Sequence, residues 1–531
     1  MKTIDKVIEY FAPTKALQRA AARTRLKILN AGYSDHGASQ TKKSLLGFLG
    51  NSISADDDIV RNLDTLRQRS RSLYMGGSPI ATGALKTIST NVVGAGLRLN
   101  PNIDYEFLGM TADEADAWEK RTLRDFDVWA NTTACDAVRM NNFYAIQQLA
   151  FLSVLMSGDC FIALPQKQRP GELYSLKLQV VEADRVCNPA DTTSSENILG
   201  GVELNNDKEI CAYWIAKRHP LSVTWTLQDW KDRNQFVRVE AFGLKTGRPN
   251  ILHLKVDERP DQRRGVPLLS PVIEAMKQIG RYTEAELMAA VVAGMFTVFI
   301  ESVSPHEHLG PGAIPLEEQV DTSDMNSFEL GNGTIMALKQ GEKANAVNPG
   351  RPNTAFEGFV EAICKQVGTA LEIPYELLMK RFDASYSAAR ASLLEAWKMF
   401  KMRREWMVNN FCQPVYEEWL TEAVLKGRVI APGFFDDPVI KAAYCRAEWH
   451  GPSQGQIDPL KEVRSAILRV ENGFSNRAKE AQELTGTDFD SNVLLLKREH
   501  VQLGEAGLIR LKGGEIIYDI HEMVDDYESN Q

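Results

Sequence analysis

The spacing of apolar residues changes twice along this 531-residue chain, and this change restricts the fold class more than any other feature. Between about residues 143 and 258, one amphipathic helical run that ends at Gly158 is followed by five β-rich runs with turn residues between them. The five runs are CFIALPQ, LKLQVVEADRV, GVELNNDKEICAYWIAKR, FVRVEAFG and ILHLKV. Short strands joined by turns favour antiparallel pairing, and the flanking regions are helical. We therefore predict an α+β protein with a mainly antiparallel sheet.

Two helices are predicted before the sheet region. The first runs from near Asp58 to about Tyr74. The second begins at Ser78, because the Ser-Pro pair supplies an N-cap and a favoured first helical residue. It ends at the sequence VVGAGLRLNP, where glycines stop the helix and a short strand follows.

From Pro267 onwards the pattern is a helix, an insert and a second helix. The later part of the first helix is rich in Ala and Gly, which allows neighbouring helices to approach closely. The insert of about fifty residues is β-like and acidic, and the second helix ends at Ile373-Pro374. This order predicts a helical hairpin with a small β-containing unit at its tip.

A long amphipathic helix is predicted from about residue 387 to 426, with a kink at Pro414. A segment of small and hydroxyl-bearing residues precedes it, and Asp383 or Ser385 in that segment is a candidate N-cap. The apolar face of the helix carries Leu393, Trp397, Phe400, Met407 and Phe411. The other face carries Lys398, Lys401, Arg403 and Arg404. These basic residues either contact phosphates or form a solvated face that pairs with neighbouring carboxylates.

The composition excludes several classes of protein. A net charge of −9 disfavours tight, nonspecific binding of nucleic acid, which usually requires a basic surface. The seven cysteines form no CxxC pair, which favours reduced thiols over a disulfide framework or a zinc site. The charged N-terminus lacks the apolar core of a signal peptide. The most apolar later segment, 287–301, is too short to cross a bilayer.

No motif in the chain indicates an enzyme. A P-loop and a GxSxG elbow are both absent, and the VVGAGLRL segment lacks the third glycine of the dinucleotide fingerprint. His306 and His308 stand in a charged stretch, where histidines are usually solvated. The sequence therefore predicts no catalytic residue, no resident metal and no cofactor.

Several segments, taken in order, resemble the lambda-type family of bacteriophage portal proteins. They are LRQRSRSLYMGGSPIATGALKTISTNVVGAGLRLNP (66–101), SGDCFI (157–162), RGVPLLSPVIEAMKQI (264–279), and ALEIPYELL with SYSAARASLLEAW (370–397). Each motif alone is weak, but their order and spacing agree with the family from about residue 20 to 510.

The resemblance implies a ring, typically of twelve subunits, at one vertex of a phage head. In such a family, double-stranded DNA passes through the ring during packaging and ejection, without sequence-specific contacts. The implied partners are the terminase large subunit, head-tail connector proteins, and the major capsid and scaffold proteins. The implied locations are the virion and, during assembly, the host cytoplasm, with no membrane contact.

The resemblance also implies a division of the chain into the parts of a portal fold. These are an N-terminal basic segment (1–57), the α+β wing (58–266), the first stem helix (267–295), the clip (296–353), the second stem helix (354–378), the tunnel loop (379–390), the long kinked helix with its return to the wing (391–454), and the helical crown with the C-terminal tail (455–531).

Three groups of candidate site residues follow from this division. The tunnel loop would present Arg381, Asp383, Ser385, Tyr386 and Ser387 to DNA. The long helix would offer phosphate contacts through Lys398, Lys401 and Arg404. The clip would offer docking residues for terminase or adaptor proteins, namely Glu307, Glu317, Glu318 and Asp321.

Two other functions remain open at the level of sequence. One is a phage-associated nuclease whose carboxylates come together in space and bind a divalent metal. The other is a different head or adaptor component, which would lack the stem hairpin.

Overall fold

The computed structural model describes residues 53–189, 197–223, 235–295, 299–300, 336–337, 356–382, 386–455, 458–487 and 489–505, with isolated positions between residues 14 and 22. The chain divides into two units, Met1–Asp58 and Ile59–Gln531. Apart from the first residues of helix α1, everything described below belongs to the second unit.

Helices make up most of the described chain. The α-helices are α1 (Ala55–Val60), α2 (Leu63–Ser72), α3 (Pro79–Val92), α4 (Ala112–Ala130), α5 (Phe143–Ser157), α6 (Ile273–Met295), α7 (Phe356–Ala370), α8 (Tyr375–Met379), α9 (Tyr386–Met407), α10 (Gln413–Leu425), α11 (Pro438–Cys445), α12 (Pro459–Glu471), α13 (Arg477–Thr485) and α14 (Phe489–Glu505).

Each predicted β-rich run contains a strand, and the structure adds the strands Ile198–Leu199 and Ala447–His450, which the sequence did not predict. The strands are β1 (Arg98–Pro101), β2 (Asp159–Ala163), β3 (Gln179–Val181), β4 (Ile198–Leu199), β5 (Val202–Leu204), β6 (Ile210–Ala216), β7 (Phe236–Glu240), β8 (Ile251–Lys255), β9 (Phe299–Ile300), β10 (Met336–Ala337) and β11 (Ala447–His450). They form sheets in the orders β3-β2-β8 and β4-β5-β6-β7, and the two-stranded pairs β1-β11 and β9-β10. Among the described strands, every pair is antiparallel except β9-β10, which is parallel. The prediction of a mainly antiparallel α+β fold is therefore confirmed.

Two helix predictions need correction. The single helix predicted from Asp58 to about Tyr74 is broken, because Asn62 leaves the helical conformation at φ −111° and ψ 1°. Helix α5 is not amphipathic: it is buried along most of its length, with Gln148 and Leu149 as its exposed residues. It packs against α2, α3, β2 and β8, so apolar residues are needed on nearly every side.

Helix α3 begins as predicted. The side-chain oxygen of Ser78 accepts a hydrogen bond from the Ala81 N–H, and Pro79 occupies the first turn. Pro79 is tolerated there because the first N–H groups of a helix have no partner within the helix.

The main core is built around an aromatic cluster. Phe126 of α4 makes edge-to-face contacts with Trp419 of α10 at 5.1 Å and with Phe143 of α5 at 5.7 Å between ring centroids. Trp449 of β11 lies 6.3 Å from the same ring. Edge-to-face pairs of this kind add to the stabilisation from apolar burial. The cluster therefore binds segments that are about 300 residues apart in the sequence into one core.

Helices α6 and α7 form the predicted hairpin. Tyr282 of α6 packs on Phe356 and Phe359 of α7, with ring centroids 5.4 and 5.1 Å apart. Between the helices, β9 and β10 pair in parallel. The rest of the predicted clip lies outside the described residues, including all of its candidate docking residues.

The long helix is present as α9 and α10, joined by a π-helical turn over Val408–Cys412. In this turn the Gln413 N–H donates to the Val408 carbonyl, five residues earlier. Pro414 follows directly, and its missing N–H removes one regular helical bond. Instead of a sharp break, the structure has a wider helical turn immediately before the proline.

The predicted apolar face of this helix is buried. Trp397, Phe400, Met407 and Phe411 lie in the core, while Leu393 is half-buried. Within the described part of the chain, no helix combines the length and the apolar character needed to cross a membrane.

Candidate functional site

A fully buried carboxylate, Asp159, lies between two buried guanidinium groups. Arg67 of α2 donates to Asp159 Oδ1 at 2.8 Å, and Arg264 donates to Oδ2 at 2.6 Å. The Gly265 N–H also donates to Oδ2, at 3.2 Å. Asp159 follows Gly158 at the start of β2, and Arg264 stands shortly before α6. We call Asp159, Arg67 and Arg264 the ionic junction.

The remaining hydrogen-bonding capacity of Arg264 is used by backbone carbonyls. Its guanidinium donates to the carbonyl of Val186 at 2.7 Å and to that of Ala183 at 2.8 Å. It also donates to the carbonyl of Gly200. A buried charge is tolerated when it is paired and its donors are satisfied, and Arg264 meets both conditions.

The junction also requires glycine on both sides of the contact. Gly158 has a φ of +90°, and a Cβ there would lie 2.4 Å from the carbonyl oxygen of Gly265. A Cβ at Gly265 would lie 2.0 Å from the carbonyl oxygen of Gly158. Backbone atoms cannot move aside as a flexible side chain can. The segments SGDCFI and RGVPLLSPVIEAMKQI are therefore two halves of one interlocked contact.

The charges of the junction shift the pKa values of Asp159 and Arg67. Burial alone would raise the pKa of Asp159, but the guanidiniums of Arg264 and Arg67 hold it well below its usual range. Burial, together with repulsion from Arg264, lowers the pKa of Arg67 to about 10. Both groups are therefore charged at neutral pH, and neither is available as a general acid or base.

His253 of β8 stands next to the junction. Its ring stacks on Phe161 at 4.1 Å between centroids, and its Nε2 is 3.5 Å from Asp159 Oδ2. Burial lowers the pKa of His253, although the nearby Asp159 carboxylate acts in the opposite direction. The imidazole is therefore neutral at pH 7.

Beside the junction lies a group of possible metal ligands that the sequence did not reveal. Ligand atoms of Glu182, Asp184 and His219 lie within 4.8 Å of one another. Arg71 already forms ion pairs with both carboxylates, at 3.1 Å from Glu182. His219 Nδ1 accepts the Leu221 N–H at 3.1 Å, so in the neutral ring Nε2 carries the proton and faces the carboxylates. The arrangement is thus an ion-pair cluster with a hydrogen-bonded histidine.

Arg404 has a structural role that the sequence did not predict. Instead of presenting a free guanidinium to phosphate, it donates to the carbonyls of Val92 at 3.1 Å, Asn91 at 2.9 Å and Pro452 at 2.8 Å. Burial lowers the pKa of Arg404 to about 10. In the described chain Arg404 therefore joins α9 to the end of α3 and to the segment after β11, and its contact with phosphate stays a prediction.

Lys398 and Lys401 are exposed and paired with carboxylates. Lys398 lies 2.6 Å from Glu395, and Lys401 lies 2.9 Å from Glu483 of α13. In the isolated chain these two side chains form the solvated, paired face that was the alternative to phosphate contact. Exposed ion pairs of this kind contribute little stability, so another anion can readily replace the carboxylate as the partner of each lysine.

The structure describes only part of the predicted tunnel loop. Arg381 is exposed and lies 2.8 Å from Glu357 of α7. Asp383 and Ser385 lie outside the described residues, and α9 begins at Tyr386. The side chains of Tyr386 and Ser387 also lie outside the description. The structure thus confirms a helix after this segment but does not test its contact with DNA.

Lys380 is a candidate that the sequence analysis missed. It ends α8 in a left-handed conformation, with φ 54° and ψ 37°, and its side chain is exposed. Together with Arg381 it places two cationic residues at the start of the loop. The Lys-Arg pair at the start of the predicted tunnel loop was the available signal.

We predict that Asp159→Asn lowers the free energy of unfolding by about 3–5 kcal/mol, since it leaves two buried guanidiniums without a counter-charge. Denaturant unfolding followed by tryptophan fluorescence measures this change. The exposed turn residue Asp207 provides the matched control, and Asp207→Asn should change stability by less than about 0.5 kcal/mol. A loss of similar size in both variants would contradict this role for the junction.

The environment of His253 also predicts a pH dependence. Because its folded-state pKa lies below the ordinary value of 6.5, the unfolded chain binds more protons as the pH falls through 6.5. Stability should therefore decrease between pH 7 and pH 5, less steeply in His253→Gln than in the wild type. Unfolding free energies measured across this range test the slope. Equal slopes would show that His253 does not contribute.

Comparisons with known proteins point to the same family as the sequence motifs. The sequence model described as "Phage portal protein, lambda family" matches residues 42–404. The chain is 24% identical over 471 residues to portal protein B of Escherichia phage lambda, covering 85% of this chain and 84% of that protein. It is 24% identical over 483 residues to the portal protein of Escherichia phage N15, covering 87% and 89% of the two chains.

Two of the solved structures with detectable likeness come from gene transfer agent particles. A chain from the virion of the native particle has a TM-score of 0.38 at 14% identity, covering 79% of this chain and 92% of that chain. A chain from the neck of the empty particle, computed with C6 symmetry, has a TM-score of 0.40 at 14% identity and the same coverages. On the strength of the sequence match over residues 42–404, the chain belongs to the lambda family of phage portal proteins.

Proposed function

We propose that this chain forms a closed ring, with twelve copies expected, at one vertex of a phage head, and that double-stranded DNA passes through the ring during packaging and ejection. Membership of the portal family is the observation that carries this proposal. The virion is then its final location, and the host cytoplasm is where the ring assembles.

The stem hairpin offers a surface suited to contact between subunits. On α6, Leu287 is 65% exposed, Met288 58% and Val291 43%, and on α7 Phe359 is 51% exposed. Exposed apolar groups of this size usually mark an interaction surface. A closed cyclic ring needs two different faces that meet at each interface. We assign the α6 residues to one face and Phe359 to the other.

Several features support passage of DNA without tight binding. The overall charge of −9 prevents strong attraction to phosphate, which would slow a sliding duplex. Lys380 and Arg381 supply local positive charge at the start of the tunnel loop, and Lys398 and Lys401 supply it along α9. Such contacts to the phosphate backbone position a duplex and carry no sequence preference.

The predicted division into wing, stem, clip, tunnel loop and crown belongs to the same proposal. The hairpin of α6 and α7 supports the stem, and the segment between these helices is the proposed clip, where the terminase large subunit and connector proteins dock. The wing and crown would face the capsid and scaffold proteins.

The nuclease alternative finds little support in the described residues. It requires carboxylates that gather around a divalent cation. Glu182 and Asp184 form such a pair with His219, but Arg71 already neutralises them. No second function is therefore proposed.

We predict that the double variant Leu287→Asp/Met288→Asp shifts the purified protein from rings to single subunits, because buried carboxylates without partners would oppose the stem interface. Size-exclusion chromatography with multi-angle light scattering measures the mass. Leu244 is 92% exposed in the wing, so Leu244→Asp is the matched control and should leave the ring intact. Rings of unchanged mass in the double variant would contradict the assignment of this interface.

A further inference from the structure

Four large apolar side chains are more than half exposed on neighbouring segments far from the stem in sequence. Phe107 is 56% exposed, Ile430 66%, Phe435 56% and Val439 57%. Apolar residues scattered singly over a surface need no explanation, whereas a group of them usually marks a site of interaction.

Direct contacts bring these segments together. The Asp104 N–H donates to the carbonyl of Ala443 at 3.2 Å. The indole N–H of Trp118 donates to the carbonyl of Ile430 at 2.8 Å, and the Trp118 ring lies 5.4 Å from that of Tyr444. The loop before α4, the first turns of α4 and the chain from residue 430 to 445 are therefore adjacent.

The exposed side chains stand on a fixed framework. Thr111 and Glu114 form a reciprocal capping box at the start of α4. Asp437 caps α11 by accepting the Val439 N–H. Phe435 packs at 5.1 Å against Phe434, which is buried. Rigid aromatic groups bind at low cost in conformational entropy, so this framework is suited to recognition.

The same segments are strongly acidic. Residues 104–116 and 430–441 together carry seven carboxylates and one basic side chain. Three of these carboxylates, on Glu106, Asp113 and Asp436, are exposed and form no ion pair within the described part of the chain. We call the four apolar residues and these three carboxylates the aromatic–acidic face.

We propose that the aromatic–acidic face binds a basic amphipathic helix of a partner protein. The apolar stripe of such a helix covers the exposed rings, and its Lys and Arg residues meet the unpaired carboxylates, which is the charge complementarity that promotes encounter and fixes orientation. A second copy of the same face is a poor occupant, because it would bring like charges together; contact with a different face of a neighbouring copy is the alternative that the test below separates.

The test uses the full chain and a fluorescein-labelled synthetic amphipathic helix with Leu on one face and Lys on the other. Fluorescence anisotropy should show binding that weakens as salt is raised. Phe107→Ser/Phe435→Ser should weaken binding at least about tenfold, since buried aromatic anchors dominate such interfaces. Glu106→Lys/Asp436→Lys, which leaves the core untouched, should weaken it to a similar extent.

Two controls make the result decisive. Leu244→Ser removes an apolar group that is 92% exposed elsewhere and should leave the affinity unchanged. A peptide with Glu in place of Lys should not bind. The proposal is overturned if the Lys peptide fails to bind, if it binds both double variants as tightly as the wild type, or if the Glu peptide binds equally well. Loss of subunit association in the double variants, without peptide binding, would instead identify a contact between copies.

Discussion

The pairing of Asp159 with Arg67 and Arg264 is the interaction on which the rest of the described structure depends. It joins α2, the start of β2 and the turn before α6, which are separated by about 90 and 105 residues. Removing one partner from such a buried group leaves an uncompensated charge, so the three segments cannot easily separate. Because Arg264 stands shortly before α6, the junction also fixes the chain at the entry to the hairpin of α6 and α7.

Another arginine holds the long helix, in this case through backbone carbonyls. Arg404 donates to carbonyls at the end of α3 and after β11, so one side chain fixes three segments. Arg403, one residue earlier, lies 3.6 Å from Glu372 near the end of α7. Helix α9 is thereby attached to α3, to the segment after β11 and to the end of α7, while its first turn belongs to the proposed tunnel loop. This explains why Lys398 and Lys401 are exposed on its basic face whereas Arg403 and Arg404 are not.

Local patterns were sufficient to predict much of the fold. The β-rich runs, the Ser78 cap and the hairpin of α6 and α7 all depend on spacing and turn chemistry within a few residues. The differences have tertiary causes: α5 was expected to have a polar face, and Arg404 was expected either to contact phosphates or to lie on a solvated face paired with carboxylates. A helix that is buried from several sides and an arginine that donates to distant carbonyls leave no signal in the neighbouring sequence. For the same reason, the sequence showed that Asp159 and Arg264 stood in family-like motifs, but not that they touch.

The central claim is that the stem hairpin and the loop after it line a channel in a closed ring. Electron cryomicroscopy of the purified full chain tests it most directly. The account predicts a ring with a central opening, α6 and α7 around the axis, and the segment near Lys380 and Arg381 at the narrowest level. Single subunits at high concentration, or a ring in which α6 and α7 point away from the axis, would contradict it.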